Sequence, residues 1–96
     1  MKSVPNTVCT VLLEPGKTAT FADLLIFAAN QPPLEGMNLV TIRKRGRVLD
    51  VAMKAKIGDE LVFEDADYAV AQECIRSAHW FSAHSDISKF GEAFGV

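Results

Sequence analysis

The stretch MNLVTIRKRGRVLDVAMKA, Met37 to Ala55, decides how the chain is read. Taken as a helix, it gathers Leu39, Ile42, Leu49, Ala52 and Met53 on one side, with Gly46 as a weak point costing about 1 kcal/mol against Ala. Taken as a hairpin, Leu39 to Ile42 and Val48 to Val51 flank a basic turn centred on Lys44-Arg45-Gly46. The helix is the expectation, because Asp50 to Lys56 has helical composition and the apolar pattern runs through both halves. The hairpin stays open as the alternative.

Upstream, Thr7 to Leu13 is β-branched and roughly alternating, which predicts a strand. Glu14-Pro15-Gly16-Lys17 reads as a turn, and Lys17 to Ala19 can fold back on the strand. Thr20 begins a helix: its hydroxyl can accept from the amide of Asp23, whose carboxylate suits the positive helix end. Phe21, Leu24, Leu25 and Ala28 form its apolar stripe, and Gln31-Pro32-Pro33 ends it near Asn30.

Downstream, Ile57-Gly58-Asp59 closes the central element. Leu61 to Phe63 is a short strand that could pair with the first one. Asp65 is expected to cap a helix over Ala66 to Ala78, and Ser85 a last helix carrying Ile87, Phe90, Ala93 and Phe94. The fold class predicted is α+β and mainly helical: three to four short amphipathic helices with a small two-stranded β element, in a single domain over 1–96. Helices this short draw their stability mainly from packing.

Charge is sorted along the chain. Six of the ten Lys and Arg residues lie between Arg43 and Lys56, and six of the twelve Asp and Glu residues between Asp59 and Glu73. The formal net charge of −2 therefore conceals a basic block followed by an acidic one. The two blocks can neutralise each other or face separate neighbours. A pI near 5.6 argues against a dedicated nucleic-acid binder. The start, Met-Lys-Ser-Val-Pro, lacks the apolar run of a signal peptide, and Leu24 to Ala29 is too short to span a bilayer, so a cytoplasmic location is expected. Cys9 and Cys74 sit in no thiol motif and read as reduced, partly buried thiols.

Catalytic and metal readings find little support. Cys74, His79 and His84 are spaced so that they would not converge on a helix, and zinc spacings are absent. Glu64, Asp65 and Asp67 form a carboxylate cluster that needs no acid–base role, since the amino end of a helix accounts for it, and that is expected to serve as a polar contact to a partner. No nucleophile elbow or phosphate loop is present, so neither an enzyme nor a cofactor is expected. The strongest candidate site is the cationic stretch Arg43, Lys44, Arg45 and Arg47, which could meet an acidic protein surface or, alternatively, phosphate backbones. No aromatic residue is interleaved with it, so single-strand stacking is not supported. Trp80 and Phe81 either dock the last helix or form an exposed anchor, and Phe94 reads as a subunit contact.

The order of these features, from Thr7 to Phe94, resembles small uncharacterised proteins of tailed bacteriophages and prophages. The resemblance is carried by Phe21-Ala22-Asp23-Leu24-Leu25, the charged central helix, and Leu61-Val62-Phe63-Glu64-Asp65-Ala66-Asp67 opening another helix. It implies a structural or regulatory binding role and no catalytic residue. The combined expectation is a non-enzymatic protein that binds a protein partner or itself, as assembly factor, inhibitor or homo-oligomeric adaptor. The alternative is a nucleic-acid-binding regulator using Arg43 to Arg47.

Overall fold

The computed structural model describes the backbone of residues 1–96 and every side chain except those of Leu13 and Glu14. The elements run β1 (Lys2–Pro5), β2 (Val8–Glu14), β3 (Lys17–Thr20), α1 (Phe21–Ala29), α2 (Leu39–Lys54), β4 (Glu60–Phe63), α3 (Asp65–Ser77) and α4 (Ser85–Ala93). About half the chain is helical, and the strands form two separate two-stranded antiparallel sheets, so the fold is α+β and mainly helical.

The central stretch is a helix. Asn38 caps α2, its Oδ1 accepting from the Thr41 amide at 2.9 Å. Only part of the expected apolar side, Leu49 and Ala52, packs against the core. Arg45, Val48 and Ala52 face inward, Leu49 is half-buried, and Leu39, Ile42 and Met53 are exposed. Two stripes with helical spacing coexist in this sequence. Packing against α1 and α3 selects the one that is poorer in large apolar groups. An arginine can join that stripe because its stem is apolar and only its tip needs polar partners.

Helix α1 starts as its sequence predicts. Thr20 and Asp23 close a reciprocal capping box, with bonds of 3.2 and 3.0 Å. The helix is apolar on most sides and buries Phe21, Ala22, Leu24, Leu25, Ala28 and Ala29.

The strand pairing corrects the expectation. β4 pairs with β1, in register Lys2 to Phe63 and Val4 to Leu61, and not with β2. β2 pairs with β3 across the Pro15-Gly16 turn, where Gly16 takes φ 79°, and this fold-back is the one the sequence predicts. Strand β1 escaped the sequence reading because four residues with one inward apolar side chain, Val4, carry almost no periodic signal. Its terminal Pro5 is tolerated where a strand ends.

Asn6 fastens the corner between the sheets. It is buried, donates from Nδ2 to the Lys56 carbonyl at 3.0 Å, and accepts at Oδ1 from the Ala22 amide at 2.8 Å. One side chain thus links the start of α1 to the α2–β4 connection.

Two caps also differ from expectation. Glu64, not Asp65, occupies the N-cap of α3, with no side-chain cap bond. His84, not Ser85, caps α4, its Nδ1 accepting from the Asp86 amide at 3.1 Å. Beneath α4 lies an aromatic core. Phe94 is 0 % exposed, stacks on Tyr68 at 5.8 Å and meets Phe63 and Phe90 edge-on or tilted. Phe94 is therefore a core residue and not a surface anchor; the last turn of α4 folds it back over β4 and α3. Among the described residues, no helix is long and apolar enough to cross a membrane.

Candidate protein-binding surface

The structure divides the cationic stretch. Arg45 is 7 % exposed, and its Nη1 donates to the carbonyls of Ala29, at 3.3 Å, and Gln31. These lie at the C-terminal end of α1, where a cation meets both orphan carbonyls and the negative end of the helix dipole. Arg45 is thus a cap on a neighbouring helix and is lost to the outward face. Arg43, Lys44 and Arg47 remain exposed.

The basic and acidic blocks barely touch. Arg47 Nη1 lies 3.9 Å from Asp67 Oδ1, and among the described residues no other ion pair joins the blocks. A surface pair at that distance contributes about 0–1 kcal/mol. Glu64 is exposed, and Asp65 lies 3.2 Å from the Met1 amino group. Most of both blocks is therefore open to solvent.

The outer face of α2 carries Leu39 and Ile42 near Arg43 and Met53 towards its C-terminal end, exposed at 66, 50 and 70 %. The helical spacing groups these residues on one side with Leu49 and Ala52, and does not by itself show that these three stay at the surface. The signal was nevertheless present: positions 39, 42, 46, 49 and 53 repeat at spacings of three and four, separately from the stripe through Arg45, Val48 and Ala52. Trp80 and Phe81 lie elsewhere. Trp80 is half-buried, stacked on Phe27 at 5.5 Å and edge-on to Phe90 at 5.8 Å, so it docks α4 and the link before it onto α1. Phe81 is exposed and rests edge-on against Phe27 at 5.2 Å.

A third cluster joins β2 to α4. Thr10 donates its amide and hydroxyl to Asp86 Oδ2 at 2.7 and 2.9 Å, and its Oγ1 lies 3.2 Å from His84 Nε2. These are the residue types of a nucleophilic triad, but the proton order is wrong for one. Nδ1 of His84 already accepts from the Asp86 amide, so the neutral ring carries its proton on Nε2 and donates it to Thr10. The Thr10 proton points to Asp86. The hydroxyl faces a carboxylate held below its usual range and not a free imidazole nitrogen, and the cluster acts as a strut. The Thr10 amide and hydroxyl hold the Asp86 carboxyl below the usual range, with smaller help from His84 and Lys89.

Both cysteines are free and buried, and burial pushes both thiols up, the Arg45 charge opposing it at Cys74. Such thiols are poor nucleophiles. Among the described residues, no group of three or more His, Cys, Asp or Glu side chains is placed to hold a metal ion. Set against known protein families, curated proteins and solved structures, the chain matches none of them.

Proposed function

We propose that the protein is a small non-enzymatic binding module whose contact surface is the outer face of α2. One observation carries this reading. A capped helix holds Leu39 and Ile42 in the open beside Arg43, with Met53 exposed on the same side about 15 Å further along. Clustered apolar exposure with a charged rim is the usual make-up of a protein contact. The binding role agrees with the resemblance to phage and prophage proteins, which also supports action in the host cytoplasm as assembly factor, inhibitor or homo-oligomeric adaptor.

The test is a photo-cross-linking residue, p-benzoylphenylalanine, placed at Ile42 in cells expressing the protein. A covalent adduct of defined mass is expected. Absence of any adduct, in a variant whose circular dichroism matches the parent, removes α2 as the contact surface.

A nucleic-acid role would rest on Arg43, Lys44 and Arg47, which are exposed. It has less support, because Arg45 is turned inward and Asp67 stands beside Arg47. It requires affinity that falls with salt at a log–log slope of about −0.9 per phosphate contacted. A gel-shift titration with no such response rejects it.

A further inference from the structure

We infer that the occupant of the α2 face is a second copy of the same helix, laid antiparallel. This rests on the reading of that face as a contact surface and names its partner.

The spacing of 39, 42, 46, 49 and 53 is that of the seam of a coiled coil, in which alternate steps of three and four keep one stripe turned to a partner helix. Residues flanking such a seam decide who pairs with whom. On one flank stand Arg43 and Asp50, seven residues apart, both exposed and neither in an ion pair among the described residues. On the other flank stand Arg45 and Ala52, both buried in the chain's own body.

That asymmetry fixes orientation. In a parallel pair, each open flank would face the partner's other flank, which here is covered by α1 and α3. In an antiparallel pair, the open flank meets the partner's open flank. Two antiparallel registers keep the seam closed. One sets Arg43 against Arg43 of the second copy. The other sets Arg43 against Asp50, twice by symmetry, and like charges select the second.

The favoured register also satisfies the seam. Ile42 meets Met53 and Leu49 meets Gly46, while Leu39 falls opposite the chain just beyond the end of the partner's helix. Nothing in its own chain lies within 4 Å of where a Cβ on Gly46 would stand, so the chain's own packing does not require a glycine there. A partner's leucine side chain needs that space.

The experiment is light scattering after size exclusion across protein concentration, on the full chain. A dimer is expected. Asp50→Arg places Arg43 against a new arginine and should weaken the dimer about tenfold, whereas the double variant Arg43→Asp/Asp50→Arg should restore it. Orientation is read by mixing Ile42→Cys with Met53→Cys under mild oxidant. A disulfide between the two variants is expected, and one between two copies of Ile42→Cys overturns the antiparallel arrangement. A monomer at every concentration, or a double variant that fails to recover, also overturns the inference. The cross-link at Ile42 separates the two proposals. An adduct of twice the chain mass supports both. An adduct of any other mass overturns the second copy and leaves the contact surface standing.

Discussion

Helices α1 and α2 pack against each other, yet they place their apolar residues in opposite ways. α1 buries six of its nine residues, including Leu24 and Leu25. α2 buries three of sixteen, one of them an arginine, and leaves Leu39, Val40, Ile42 and Met53 in solvent. The difference separates two uses of apolar surface. In α1 it holds the fold together. In α2 it is surplus to the fold, and this is what marks the outer face for a partner.

Four kinds of substitution break or sharpen that contrast, and the largest effect belongs to α1. Leu24→Ala or Leu25→Ala should lower stability by about 2–5 kcal/mol, because a cavity opens in a closed core. Ile42→Ala, measured by chemical denaturation at a dilution where the chain is monomeric, should change it by no more than about 0.5 kcal/mol. Comparable losses at both sites would show that the outer face of α2 belongs to the core after all.

Next come the polar groups that bind the elements together. Arg45→Met should cost about 1–3 kcal/mol, since it strands the carbonyls of Ala29 and Gln31 at the end of α1. Asn6→Ala should cost a similar amount by stranding the Ala22 amide and removing the tie to the Lys56 carbonyl, which keeps its bond from the Asp59 amide. Arg43→Met, on the same helix as Arg45 but pointing outward, should leave the monomer nearly unchanged. Equal effects of the two arginine substitutions in urea melts would contradict the inward placement of Arg45.

Smaller changes tune α2 itself. Asn38→Ala removes its cap and should cost about 1 kcal/mol, whereas Gly46→Ala should stabilise the monomer by about 0.5–1 kcal/mol, because a Cβ there meets nothing. A destabilising Gly46→Ala in the dilute monomer would point to a neighbour within the chain that the structure does not place there.

The last effect is read in pH. The folded-state carboxyl of Asp86 is depressed, so its contribution is fully present above its unfolded value, about pH 4, and is lost as pH falls through the lower folded value. Asp86→Asn should flatten the acid limb of the stability profile below about pH 4. Parallel profiles for parent and variant would show that the Thr10 strut does not depend on the charge.

Some of this architecture was written locally and could be read directly. The capping box of Thr20 and Asp23 and the stop at Pro32-Pro33 define α1 without reference to anything distant. Amphipathic spacing sufficed for α3 and α4 as elements and for the α+β class, and for α2 it favoured a helix over the hairpin that the same residues allow. The strand β1 could not be read, since its pairing with β4 joins segments some sixty residues apart, and Val4 alone gives no pattern. Asn6 was equally silent, because its partners Ala22 and Lys56 are named only by the fold.

The sequence by itself determined that the segments of α1, α3 and α4 are helical, because capping groups, prolines and apolar periodicity act within a few residues of one another. For the cationic stretch it favoured a helix and left a hairpin open, and the fold made the choice. Only the tertiary structure decided which side of that helix is buried. Two stripes of helical spacing compete in α2, and local energies do not distinguish them. Contact with α1 and α3 turns Arg45, Val48 and Ala52 inward, where the carbonyl end of α1 offers the guanidinium partners that no apolar side chain could use. The same rotation exposes Leu39, Ile42 and Met53, so the choice that completes the core also creates the surface on which the proposed function rests.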